Sequence, residues 1–117
     1  MLLAYDGSPS ARRALQRIAT MHREGDDVGV ICVSDQPADV EGHLASAHQL
    51  LAERGIGATL LSCDGNPARA ICVAAERDEY DMILVGRRNL REAGLLLLGS
   101  VAARVVSGAA CDVLVVA

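Results

Sequence analysis

The sequence predicts an α/β fold: a doubly wound, mostly parallel five-stranded sheet with helices on both faces. Three observations carry this. Short apolar, β-branched runs alternate with segments of helical periodicity along the whole chain. Glycine, proline, serine or asparagine marks most changes of pattern. The runs are apolar almost without interruption, as strands covered on both faces are. Right-handed crossovers then restrict the topology to a doubly wound sheet. At 117 residues one domain over 1–117 is expected, large enough to hold its own core. Apolar residues make up 51% of the chain, with no Trp, no Phe and two Tyr, so that core must be aliphatic.

The elements follow in order. "MLLAY" (1 to 5) is the first strand and runs into "DGSPS", a turn joined to a helix start. Ser8 suits the N-cap and Pro9 the first helical position, where its missing N–H costs nothing. Ala11, Ala14, Leu15, Ile18 and Ala19 then repeat on one helical face, with Arg12, Arg13, Gln16 and Arg17 off it. "VGVICV" (28 to 33) is the second strand. After "SDQP" a helix follows with Val40, Leu44, Ala47, His48 and Leu51 as its inner stripe, closed by Gly55. "GATLLSC" (57 to 63) is the third strand, and "GNP" supplies Asn66 as N-cap and Pro67 as first residue of a third helix with Ala70, Ile71, Ala74 and Ala75 inward. "DMILVG" (81 to 86) is the fourth strand. A long connection leads to a short helix over about 100 to 107 with Val101, Val105 and Val106 as its apolar side, and "DVLVVA" (112 to 117) is the fifth strand.

Composition excludes several functions. The net charge is −4 and the charges are dispersed, which argues against a nucleic-acid surface and its basic stripe. All 11 cationic residues are arginine, so a P-loop lysine, a Schiff-base lysine and the lysine of a phospho-receiver are ruled out. Four cysteines, Cys32, Cys63, Cys72 and Cys111, lack CxxC spacing and sit in or beside apolar segments, as small buried hydrophobes do. His43 and His48 stand about 140° apart round a helix and cannot share a metal from one face. No catalytic residue and no protein metal site is expected. No signal peptide precedes the first apolar run and no stretch approaches the ~20 residues of a membrane span, so the expected location is the cytoplasm.

In such sheets ligands bind beyond the carboxyl ends of the strands, where the winding reverses. The most glycine-rich loop there is "VGRRNLREAGLLLLGSV" (85 to 101). Gly99 and Ser100 precede a helix, so their N–H groups would point outward with the positive end of the dipole behind them, an anion site gaining typically ~0.3 to 2 kcal/mol from the dipole. Gly86 would let a ligand approach the backbone, and Arg87, Arg88 and Arg91 add positive charge. The same residues equally fit a plain strand end, a helix cap and solvated arginines. Walker A, GxGxxG and GxSxG patterns are all absent.

"LLAYDGSPSARRAL" resembles the opening of the universal stress protein domain, an apolar strand running into Asp-Gly-Ser. "GNPARAICVAAERDEYDMILVGRR" is similar to that family's third helix and fourth strand, and "LLLGSVAARVVSGAACDVLVV" to its last helix and strand. The resemblance spans the chain and implies the strand order 3-2-1-4-5 of adenine nucleotide alpha hydrolase-like folds. ATP-binding members share a Gly, two residues, Gly, nine residues, Gly-Ser/Thr pattern; here Gly86, then Asn89 in place of glycine, then Gly99 with Ser100 fill it. The resemblance implies that Ala4, Tyr5 and Asp6 lie along the nucleoside, with Asp6 near the ribose or a metal. Val33 would offer its backbone to adenine, and Gly86 would sit against the ribose or α-phosphate. Asn89, Gly99, Ser100 and Val101 would line the phosphates, with Arg87 and Arg88 in the same loop.

The function it implies is a cytoplasmic stress-response module binding ATP with Mg²⁺, and not an enzyme. It would work as a homodimer through the last strand, Asp112 to Ala117, since an open sheet edge must be paired or covered. A regulatory member without nucleotide is the alternative, and a weak ATPase a distant third.

Overall fold

Alternate residues of the central strands serve two different helix layers, and that alternation organises the molecule. A computed structural model describes residues 1–34, 36–87, 90–92 and 95–117, with 90–92 and 95–97 described by their backbone. The elements in order are β1 (Leu2–Ala4), α1 (Pro9–Met21), β2 (Gly29–Val33), α2 (Pro37–Ala52), β3 (Thr59–Cys63), α3 (Pro67–Arg77), β4 (Met82–Gly86), β5 (Leu90–Glu92), β6 (Leu95–Leu97), α4 (Ser100–Gly108) and β7 (Asp112–Val116). The main sheet has the order β3-β2-β1-β4-β7 with every pair parallel, which is the expected 3-2-1-4-5.

Leu3, Tyr5, Val30, Cys32 and Leu84 pack with Ala14, Ile18, Val40, Leu44 and Leu51, which covers one face with α1 and α2. Leu2, Ile31 and Ile83 pack with Ile71, Ala74, Ala75 and Val105, which covers the other with α3 and α4. The winding therefore reverses between β1 and β4. Small residues at the helix contacts, Ala11, Ala14, Ala47, Ala68, Ala74 and Ala102 among them, let the helices sit close to a core without Phe or Trp.

The caps are those the sequence suggests. Ser8 Oγ accepts from the Ala11 N–H at 3.2 Å and Asn66 Oδ1 from the Arg69 N–H at 3.1 Å, and Pro9, Pro37 and Pro67 open their helices. Five expected inner positions differ. His48 and Val106 are exposed and Ala19, Ala70 and Val101 are only partly buried, while Ala68 and Ala102 take inner places. The long connection holds regular structure: β5 and β6 pair antiparallel, Leu90 opposite Leu97 and Glu92 opposite Leu95, as a hairpin separate from the main sheet. The leucine run supplies a strand there, and Leu98 beyond it is 40% exposed.

Gly86 is required by packing. It lies one step beyond Val85 and two beyond Leu84, so its missing side chain would point toward α1. A Cβ there would lie 2.5 Å from Ser10 Oγ, 2.6 Å from the Ala11 nitrogen and 2.7 Å from the Ser10 carbonyl carbon. Two of those atoms are backbone and cannot give way. Gly86→Ala is expected to destabilise the nucleotide-free protein by about 1–3 kcal/mol through overpacking. Denaturant midpoints check this, and an unchanged midpoint would show that α1 moves aside freely.

Candidate functional site

The parallel register places Ile31, Ala4 and Val85 side by side across β2, β1 and β4, on the face covered by α3 and α4. Ala4 is the smallest of the three, so this row forms a floor with room above it. Over it lies a cavity of about 360 Å³ lined by Ala4, Tyr5, Asp6, Ser8, Ile31, Val33, Ile71, Val85, Gly86 and the start of α4, Gly99 to Ala102, with Ala11 and Pro67. Its position is the switch point of the winding and its size lies within the usual range of small-ligand sites, about 300–1,000 Å³. Its floor is apolar. Its polar groups are Asp6, Ser8, Ser100 and main-chain amides.

Asp6 ends the first strand's extension. Its Oδ1 accepts the Ser8 N–H at 2.9 Å, and the Ser8 hydroxyl in turn caps α1. The Asp6 and Ser8 side chains thus bridge the Asp6–Gly7–Ser8 turn from within, with Gly7 at φ 76°, a conformation that disfavours other residues.

The opposite wall is the first turn of α4. Gly99, not Ser100, is its N-cap, and it brings no side-chain cap, whereas Ser8 and Asn66 cap α1 and α3. The N–H groups of Ser100, Val101 and Ala102 therefore start the helix without intrahelical acceptors. The Gly99 N–H does not join them: it donates to the Arg87 carbonyl at 3.0 Å, while the Arg87 N–H donates to the Val116 carbonyl at 2.7 Å. These two bonds tie the base of the hairpin to α4 and to β7.

Of the residues expected to hold a ligand, Ala4, Tyr5, Asp6, Val33, Gly86, Gly99, Ser100 and Val101 all line this one cavity. Arg87 is outside the lining set and contributes main-chain bonds. Arg88 and Asn89 lie outside the described residues. Gly86 lines the cavity and also makes room for α1. Tyr5 turns its ring to the α1 and α2 face, where it is 3% exposed and meets the His43 ring edge-on at 6.2 Å and 78°; period two puts it opposite Ala4. Sequence reasoning missed Ile31, Ile71, Val85 and Ala102. The strand residues could have been found by pairing them in register with Ala4.

The remaining candidates are quiet. Burial pushes the thiols of Cys32, Cys72 and Cys111 up, helped at Cys32 by Asp6 and Asp39 and at Cys72 by Cys111, and all four cysteines are free. Among the described residues no group of three or more His, Cys, Asp or Glu could hold a metal, and no helix is long and apolar enough to cross a membrane.

Fold and cavity together define a doubly wound α/β domain with a ligand-sized site at its switch point. Residues 39–117 match the family model of the universal stress protein family. A curated universal stress protein of Thermus aquaticus, from the 3′ region of a QAH/OAS sulfhydrylase, is 34% identical over 99% of this chain and 96% of its own. The chain belongs to the universal stress protein family. Among solved structures, a universal stress protein in complex with cAMP matches at TM-score 0.83 and 26% identity over 98% of this chain and 93% of its own. The Archaeoglobus fulgidus universal stress protein in complex with dAMP matches at TM-score 0.83 and 22% identity, over 99% and 95%.

The Tyr5 hydroxyl is buried with no hydrogen-bond partner among the described residues, which costs roughly 1–3 kcal/mol of desolvation. Tyr5→Phe removes that group and keeps the ring. It is expected to raise stability by about 1 kcal/mol at unchanged denaturant slope; an equal loss would mean that the hydroxyl has found a partner.

Proposed function

We propose that this protein is a stress-response binding module that takes an adenine nucleotide, ATP with Mg²⁺, in the cavity at the switch point. It is a single domain over 1–117, located in the cytoplasm, and it reports occupancy by binding rather than by catalysis. The observation that carries the reading is the cavity itself: an apolar floor of Ala4, Ile31 and Val85 lies beside the uncapped first turn of α4. An aromatic base fits the first and a phosphate the second. Relatives in complex with cAMP and dAMP support adenine as the base.

In this reading Asp6 faces the ribose, Val33 the edge of the base, and Ser100 and Val101 a phosphate. Gly99 contributes its close backbone rather than its N–H, and Arg87, Arg88 and Asn89 belong to the loop around the distal phosphates. Asp6 is the one carboxylate lining the cavity among the described residues, so a Mg²⁺ ion here would take most of its ligands from phosphate and water. The homodimer is proposed through β7 and Ala117, since β7 ends the sheet with Val113, Leu114 and Val115 only half-buried.

The engagement of the Gly99 N–H by Arg87 favours one second reading, a regulatory member that binds no nucleotide, because it removes one donor from the cradle. Thermal melts separate the two. At a ligand concentration about 100 times Kd, binding stabilises by about 2.7 kcal/mol, so ATP with Mg²⁺ is expected to raise the melting temperature by several degrees. An unchanged melt with every adenine nucleotide at millimolar concentration establishes the second reading. Asn89→Gly is expected to bind ATP as well as or better than the parent, because glycine leaves space to phosphate; clearly weaker binding in a titration would make Asn89 itself a phosphate ligand.

A further inference from the structure

Helix α2 contributes no residue to the cavity lining, yet one of its side chains packs against the turn that does. The His43 ring lies against Gly7: a Cβ on Gly7 would stand 2.6 Å from His43 Nδ1 and closer still to Cε1. The other side of the contact is Tyr5, whose ring meets His43 edge-on at 6.2 Å. His43 thus meets residues 5 and 7, while residues 5, 6 and 8 line the cavity. Asp6 and Ser8 are joined by the 2.9 Å bond from the Ser8 N–H to Asp6 Oδ1, and Ser8 is joined to α1 through the Ala11 N–H. A positive φ at Gly7 allows the chain to reverse there, but glycine alone does not hold it in place. The His43 ring packs against it from the α2 side.

We infer that His43 is a positioning residue for the nucleotide site, acting through Gly7 to fix the Asp6 carboxylate at the cavity wall. This rests on the nucleotide reading above. Asp6 is the group on the described lining best suited to accept from a sugar hydroxyl; with the 2′-hydroxyl as its partner in this inference, a displaced turn costs a ligand that has that hydroxyl more than one that lacks it. Because coupling is reciprocal, an occupied site also holds α2 in place through the same ring, which gives the nucleotide a route to a helix it does not touch.

The test compares His43→Ala, which removes the ring, with His43→Phe, which keeps a flat ring over Gly7 and beside Tyr5. Affinities for AMP and dAMP are measured by titration. His43→Ala is expected to weaken AMP about tenfold and dAMP much less, while His43→Phe keeps both near the parent values. Unchanged AMP affinity in His43→Ala, equal losses for the two nucleotides, or no rescue by phenylalanine overturns the inference.

A second measurement needs no ligand. Hydrogen exchange at the Ser8 and Ala11 amides is expected to quicken about tenfold in His43→Ala, with the Leu44 and Ala47 amides of α2 unaffected. If the parent protein binds neither nucleotide, the nucleotide reading fails and the exchange rates judge the clamp alone: faster exchange at Ser8 and Ala11 upholds it, and unchanged exchange overturns it.

Discussion

The contact between Gly86 and the first turn of α1 is the constraint on which the rest depends. β4 must end in a residue without a side chain because Ser10 and Ala11 already occupy that space. With α1 so seated, the loop that precedes it runs over the end of β1 directly beside the end of β4. The winding reverses between these two strands, and helices leave them toward opposite faces. A space opens above Ala4 on the α3 and α4 face for that reason. A bulkier residue at 86 would push α1 away, and the Asp6 turn with it.

Polarity at the site follows from the same geometry. α1 and α3 satisfy their first turns with Ser8 and Asn66, so the helix starts nearest those loops offer little to an anion. α4 begins at a glycine, and its amides at Ser100, Val101 and Ala102 are left for solvent or a ligand. The bonds from Gly99 to Arg87 and from Arg87 to Val116 fix where that first turn sits, so the hairpin of β5 and β6 leaves and returns at a defined point. An aliphatic floor and a helix start placed a few residues beyond it make a site that can accept an aromatic group and an anion together.

Much of this was legible in the sequence. The central strands β1, β2 and β4 announce themselves because both faces are buried, and the caps because Ser8-Pro9 and Asn66-Pro67 have a local chemical reason to start helices. What was not legible depended on contacts distant in sequence. Gly86 reads as a place where a ligand can approach; that α1 also requires it is seen only once the backbone of residues 10 and 11 stands beside it. Tyr5 sits in a segment whose neighbours line the site, but period two turns its ring to the other face, against His43. His48 and Val106 fall near apolar stripes by spacing but are exposed, and in α4 Ala102 is buried instead. The hairpin was hidden because a leucine run fits a strand, a helix or a packed loop equally well.

The account's central claim is that the space over Ala4, Ile31 and Val85 is where an adenine nucleotide lies. The most direct measurement is the ¹H–¹⁵N spectrum of the labelled protein titrated with AMP. The expected shifts fall on the amides of Asp6, Ser100, Val101 and Ala102, with none at Asp26, Asp27 and Asp81 on the opposite end of the sheet. Saturable shifts confined to that opposite end would contradict it.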